Sequence, residues 1–552
     1  MPNTFHHERT QTRVSNGGRT WLWVILPFLF LGFLACLQLF NLAAHSRHGD
    51  LIVMGGALLG FPTLVVLAFA LRQGLRHVRT FVPTLQWWHW AWALTFISAL
   101  VFRVRGVNEI GAEPLDAWAV FRIGVDMLVA FILLARLALR RTHWLGSMFR
   151  GVVAALTIFG LVGVASTIWS VFVPWTLYKS CEYLIDVALL AGIVDTLDST
   201  DQYRDFFNWT WALYGFLLLS VWGGVALFTE AALHGDKYGG GILGMRLQGV
   251  LPAVSANDVA TFAGVLGLLS LARLFPISGE RSNKSWYTLL LLASLVTMVL
   301  AQTRTALAGF MLGAMVILLF SKRGKVGAFL AFIVVPVVAL TTMGGLIWSY
   351  IQRGQTREDL GTLSARATWW SFAWQTYLER PLTGFGAYAA GRFAVLAKLG
   401  LSGTSTMHSD YLEIIVGTSI WGLIPFVVTM VVIGWLLWRC VRNPAYFVGL
   451  GTSSTQVDAS GALVLGAQER QLAFEALAIF ALLGFRSIFM TMLTWHPPLH
   501  FLAILGYVEY LRRRRRAGIE SCSDLVAGHA TAGTDPQLEL AFGAADAGSS
   551  GN

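Results

Sequence analysis

The sequence predicts an all-α polytopic membrane protein, a helical bundle of about 12–14 transmembrane helices with a long outer-side loop that contains short helices. Three observations predict it. Hydrophobic residues make up 56% of the 552 residues and charged ones 13%, with mean hydropathy +0.63, more apolar surface than a water-soluble core can hide. The apolar residues fall in runs of about 20, the length a helix needs to cross the hydrocarbon. Lys and Arg gather in the short loops between those runs. Lipid cannot satisfy an open backbone, so the runs are read as helices.

Taken in order, residues 1–19 form a polar cytoplasmic segment, and the first apolar run, about 20–44, is too long for a signal-peptide core and is read as a retained helix. The further spans are about 51–71, 82–102, 117–139, 148–170, 177–196, 206–229, 258–275, 286–303, 306–321, 325–349, 412–438, 471–491 and 496–511. With the N-terminus inside, the inner loops hold "RQGLRHVRT", "RRTHW", "SGERSNKS", "SKRGK", "RCVRNP" and "RRRRR". The outer side receives "HSRHGD", "RVRGVNEIGAEPLD", "VFVPW" and "TWHPP", with "RVRG" a mild violation of the charge rule. The transmembrane domain thus spans 20–511. Residues 512–552 lose apolar periodicity, become rich in Gly, Ala and Ser, and are expected to be a disordered cytoplasmic tail.

Two long loops fall outside, at about 230–257 and about 350–411. A loop of about 60 residues is uncommon without a function. Within it, "SARATWWSFAWQTYLERP" spaces its aromatics as a helix does and is expected to lie along the membrane surface, where indoles settle.

Composition excludes several chemistries. Cys36, Cys181, Cys440 and Cys522 have no paired spacing, and neither His6–His7 nor His496–His500 has metal-ligand spacing. The net charge of +10 sits beside apolar runs, which argues against nucleic acid as a partner. Glu109, Glu113 and Asp116 make no tight pair, and Glu358–Asp359 is the adjacent acidic pair outside. Holding magnesium beside a phosphate takes a carboxylate cluster, so the reading calls for no metal and no cofactor.

What remains on the outer side is basic: Arg304 between two apolar runs, Arg246 in the first long loop, and Arg366 and His408 in the second. Arginine suits phosphate because its planar fork donates two parallel hydrogen bonds and keeps its charge. The plainer reading is an arginine that snorkels to the headgroups from a helix end. Arg122 and Asp126, at i and i+4, read as an intrahelical pair. Glu182 and Asp186 repeat that spacing with like charges and are expected to face the bundle interior.

The set "MRLQGVLPAVSAND", "AQTRTALAG", "SARATWW…ERPLTGFGAY" and "MHSDYLEIIVGTSIWGLIPF" resembles the O-antigen ligase and polymerase superfamily of bacterial inner-membrane glycosyltransferases, over about residues 160–435. The family's arginine–glycine–asparagine pattern is matched by Arg246, Gly249 and Asn257, and its Ser/Thr–Arg motif by Thr303 and Arg304. Its arginine–aromatic and "PL-G-G" pattern is matched by Arg366, Trp369, Pro381, Leu382, Gly384 and Gly386. Its histidine block is matched by His408, Ser409, Tyr411, Leu412, Gly417 and Gly422. The chain departs from the family in carrying Ser409 and Asp410 where Asn commonly follows the histidine.

The resemblance implies transfer of a glycan from undecaprenyl diphosphate to an acceptor hydroxyl on the periplasmic face, inverting and metal-independent, with lipid A-core as the leading acceptor. Arg246 and Arg304 would bind the diphosphate and His408 would take the hydroxyl proton, its ordinary pKa suiting that task and the nearby cations keeping it neutral. Arg366, Trp369, Asn257 and Tyr411 would bind substrate. Gly384 and Gly386 are read as turn residues at positive φ. Polysaccharide polymerase and protein O-oligosaccharyltransferase remain open within the same chemistry. A transporter or lipid flippase is the competing class, and it predicts internal repeats that the sequence does not show.

Overall fold

The structure is a computed structural model, and it describes residues 85–101, 107–112, 115–235, 243–277, 283–321, 335–352, 355–356, 366–401, 406–442, 456–457, 463–464, 466–494 and 498–531. The expected spans 20–44 and 51–71, the N-terminal segment 1–19, Glu358, Asp359 and the final stretch 532–552 lie outside the described residues.

The chain is a multi-pass helical membrane protein. Among the described residues the helices are α1 (Trp87–Leu100), α2 (Val107–Ala112), α3 (Ala117–Ala138), α4 (Trp144–Met148), α5 (Val153–Ala165), α6 (Val173–Thr196), α7 (Thr200–Leu227) and α8 (Thr229–Ala232). They continue as α9 (Ala256–Leu274), α10 (Lys284–Ala301), α11 (Arg304–Phe320), α12 (Val335–Gln352), α13 (Arg366–Glu379), α14 (Asp410–Arg442), α15 (Ala467–Phe489) and α16 (Leu499–Thr531). Six of them are long and apolar enough to cross a membrane: α3, α7, α9, α10, α14 and α15. The stretch Val153–Trp169 and α11 are shorter apolar helices. The only sheet structure described is three two-stranded antiparallel ribbons, among them β1 (Leu233–Gly235) with β2 (Met245–Leu247) and β3 (Gly249–Val250) with β4 (Ala253–Val254).

Polar caps set several helix starts. Asp116 accepts from the amide of Ala119 at 2.8 Å, Ser255 from Asp258 at 3.3 Å and Asn283 from Trp286 at 3.2 Å, each supplying a partner the first turn lacks. α9 packs along α10, α11 against α15, and α14 against both α5 and α15. The core runs through Trp88, Trp92, Tyr203, Phe206, Phe207, Phe426, Phe474 and Tyr507. A smaller core of Ala373, Phe385, Val395, Leu396, Met407 and Val416, with Trp369 against it, holds the second loop to the bundle.

Three expectations change. The helix predicted to stop near residue 511 runs on to Thr531, so the reading of a disordered tail from 512 does not hold for its first 20 or so residues. Its basic run is anchored, with Arg512 on Glu509 and Arg513 on both Glu509 and Asp195. Arg122 does not pair with Asp126. It bonds to Glu182 across the α3–α6 contact, and Lys179 bonds to Glu182 from one turn away, so a buried carboxylate between two cations takes the partner that spacing alone would have given to Asp126. Finally, α14 is interrupted at Ser419, where φ is 59° and ψ is −152°.

That interruption positions the second loop. The amides of Phe385 and Gly386 donate to the carbonyls of Val416 and Gly417, both at 2.9 Å, and the Ser419 hydroxyl donates to the Pro381 carbonyl. Gly384 and Gly386 sit at φ of 69° and 98° as expected. A Cβ on Gly384 would lie 2.6 Å from the Gly417 oxygen, and one on Gly386 would lie 2.3 Å from Ser170 Oγ. Only glycine allows both the φ and the approach.

Candidate active site

Arg246, Asn257, Arg304, Arg366 and His408, separated by up to 162 positions in sequence, meet at one end of the bundle. Four stand at or just before helix N-termini, Asn257 in the first turn of α9, Arg304 opening α11, Arg366 opening α13 and His408 two residues before α14, and Arg246 lies on β2. The N-termini of α9, α11 and α14 share this end, and each adds positive partial charge.

Arg246 Nη2 donates to Asn257 Oδ1 at 2.8 Å and its Nε to the Ala301 carbonyl at 3.2 Å, at the C-terminus of α10. Thr303 Oγ1 also donates to Asn257 Oδ1, at 3.2 Å. Asn257 is therefore a bracket for the Arg246 guanidinium and the α10–α11 turn. That turn passes through Gln302 at φ 51°, whose side-chain amide donates to the Met245 carbonyl. Arg304 donates to Gln355 Oε1. Arg366 donates from Nη1 to the Phe489 carbonyl at 3.0 Å, capping the end of α15, and faces the charge of Arg304.

His408 lies at φ 57°, and its loop is fixed on both sides. The Met407 amide donates to Glu413 at 2.6 Å, and Trp370 Nε1 donates to the Met407 carbonyl at 3.0 Å. The Ser409 amide donates to Thr491 Oγ1 at 3.1 Å. The Asp410 carboxylate accepts from the amides of Met492, Leu493 and Thr494 and from the Thr494 hydroxyl at 2.7 Å. A carboxylate at position 410 thus satisfies the amides beyond the end of α15.

The His408 ring stacks against Trp369, with centroids 6.0 Å apart at 24°. Its Nδ1 is buried and has no hydrogen-bond partner among the described residues. Burial, then the cations Arg366 and Arg486, lower its pKa to about 4. The sequence placed Arg246 and Arg304 as the neighbours of this histidine, whereas the cations that act on it are Arg366 and Arg486. The Tyr411 ring meets Phe426 edge-on at 5.7 Å, against the main core.

Residues 289–427 match the family model described as O-antigen ligase. The chain carries a domain of the O-antigen ligase/polymerase superfamily. The matched O-antigen ligase segment contains Arg304, Arg366, Trp369, His408 and Tyr411, while Arg246 and Asn257 lie before it. No curated protein matched the chain. An O-antigen ligase-type domain serves glycan transfer, and the cluster offers such a reaction cations for an anionic leaving group and a neutral imidazole for a proton.

Two partners of this cluster escaped the sequence reading. Gln355, the acceptor for Arg304, has no motif around it. Arg486, fully buried near the end of α15, was absorbed into an apolar run. An arginine inside a membrane segment is a functional candidate by default, and that signal was present in "GFRSIF".

Proposed function

We propose that this protein transfers a glycan from undecaprenyl diphosphate to an acceptor hydroxyl at the periplasmic face of the bacterial inner membrane, with lipid A-core as the acceptor. The observation that carries the reading is His408, whose buried Nδ1 has no hydrogen-bond partner among the described residues, beside a group of arginines and inside the segment that matches O-antigen ligase.

The acceptor oxygen attacks the anomeric carbon from the face opposite the diphosphate and inverts it. The new C–O bond forms as the bond to the diphosphate oxygen breaks, and the electron pair leaves on that oxygen. Arg246 and Arg304 stabilise the charge as it develops. Removing one such donor costs about 3–4 kcal/mol of barrier, 10²–10³ in rate. His408 accepts the hydroxyl proton at Nδ1. In the absence of donor its low pKa keeps the base unprotonated, and the donor's negative charge offsets the arginines and raises its proton affinity during the reaction. The carrier's apolar tail stays in the bilayer.

Arginine does here what a metal does elsewhere, so transfer should persist in excess EDTA. Loss in EDTA with rescue by magnesium would sink the metal-free scheme. The wider test is a deletion strain, its lipopolysaccharide run on a gel beside its polyprenyl-linked glycans. Core without O-chain, with long polymer stranded on the carrier, supports ligation. Core bearing a single repeat would make the protein a polymerase, and unchanged lipopolysaccharide would move the acceptor to an exopolysaccharide or a protein.

A further inference from the structure

Arg486 lies on α15 with 0% of its surface exposed. Its Nη1 donates to the Asn257 carbonyl at 3.0 Å, while Nε and Nη2 have no hydrogen-bond partner among the described residues. Asp258 is the acidic group that attracts it, but that carboxylate accepts from Ser255 Oγ at 2.7 Å, and no hydrogen bond joins it to Arg486. The remaining charged and titratable groups around the guanidinium are Arg366, His408 and His500. A buried guanidinium with two N–H-bearing nitrogens unmet, set beside a second arginine, is poorly stabilised without an anion.

Asn257 links this residue to the site. Its side-chain oxygen holds Arg246 and its backbone oxygen holds Arg486, so one residue in the first turn of α9 fixes the positions of two guanidiniums. We propose that Arg486 is a further substrate-contacting residue, donating from Nε and Nη2 to an oxygen of the donor's diphosphate, so that the leaving group is gripped from the α15 side as well as from β2 and α11. The inference rests on the glycan-transfer reading of the same site.

The test uses the full-length protein purified in detergent, as wild type, Arg486→Gln, Arg486→Lys and Arg304→Gln. Inorganic diphosphate is the binding probe, read by its shift of the thermal midpoint, and transfer kinetics are measured with a polyprenyl-diphosphate-linked glycan. The expected result is a midpoint near wild type without ligand, a diphosphate-induced shift lost in Arg486→Gln and weakened at least tenfold in concentration dependence in Arg486→Lys. Donor KM and kcat/KM should worsen by about 10² while acceptor KM holds. Wild-type donor kinetics in both variants, a defect confined to acceptor KM, or two variants that cannot be purified folded would each make Arg486 something other than a diphosphate ligand. Those outcomes are distinct from failure of the underlying reading, in which wild type itself shows no response to diphosphate and Arg304→Gln transfers normally.

Discussion

At the scale of single residues, a side chain's role follows from which of its polar atoms the fold has already used. Arg246 spends Nε and Nη2 on Ala301 and Asn257, so its orientation is set before substrate arrives. Arg304 opens a helix and rests on Gln355. Arg304→Lys should fold, since the charge and helix survive, yet lose roughly 10²–10³ in kcat/KM because the two-pronged fork is gone. Wild-type turnover of the purified variant would remove Arg304 from the diphosphate clamp. For His408 the sign of the pH effect is fixed. Only the neutral ring accepts a proton, so with a folded pKa of about 4 the donor-free enzyme should show kcat/KM level from pH 6 to 8 and falling below about pH 5. Because folding lowers this pKa from its ordinary 6.5, the unfolded chain binds the proton more readily, and the contribution to stability is present above pH 6.5 and lost as pH falls toward 4. Arg366→Gln removes a cation that depresses His408, and should move the acid limb of the rate profile upward. An unmoved limb would mean that the titrating base lies elsewhere.

At the scale of elements, the site depends on a loop docked into a broken helix. The turn at Gly384–Gly386 replaces the hydrogen bonds that α14 gives up at Ser419, through Phe385 and Gly386 onto Val416 and Gly417. Gly386→Ala adds both a strained φ and a Cβ overlapping Ser170, whereas Gly244, at φ 58°, has nothing within 4 Å of an added Cβ. Gly386→Ala should therefore lower the thermal midpoint clearly more than Gly244→Ala, in which only the backbone term, about 1–2 kcal/mol, operates. Equal effects would show that the loop–helix contact contributes little. The sequence showed that these glycines were turn residues, because the need for positive φ is local. It did not show what they turned onto, because Gly417 and Ser170 are distant in the chain.

For the whole molecule, the two ends of the bundle carry different kinds of charge. At the far end from His408, buried Glu475 accepts from Arg273 Nε and Nη2, both at 3.0 Å, and Arg273 also donates to Tyr287 at 2.7 Å and Asn208 at 2.9 Å. That network ties the cation to named acceptors, in contrast to Arg486 beside His408, whose Nε and Nη2 have no hydrogen-bond partner among the described residues. Glu475→Leu should cost about 3–5 kcal/mol by stranding a buried cation while leaving turnover per folded molecule unchanged. A fall in specific activity without loss of stability would tie the two ends together functionally. Arg512, Arg513 and Arg514 belong to the same far end, where Asp195, Glu469 and Glu509 hold them.

By itself the sequence determined the class of protein, the approximate place of many of the described helices, the helix of "RATWWSFAWQTYLE" and the glycine turn, and it singled out Arg246, Arg304, Arg366 and His408 though not Arg486. Each of these is written in composition, in local periodicity or in residues flanking a helix end, and none needs knowledge of a distant neighbour. Tertiary structure alone decided the pairings: Arg122 with Glu182 rather than Asp126, Arg304 with Gln355, Asp410 with the amides beyond α15, and Arg366 and Arg486 rather than Arg246 and Arg304 against His408. It also decided that α16 continues to Thr531, past a basic run whose Arg513 and Arg514 are held by Asp195 and Glu469 of other helices and which local polarity reads as unfolded. The physical reason is common to all of them. A buried charge settles on whichever partner packing brings within about 3 Å, and packing joins residues that sequence keeps far apart.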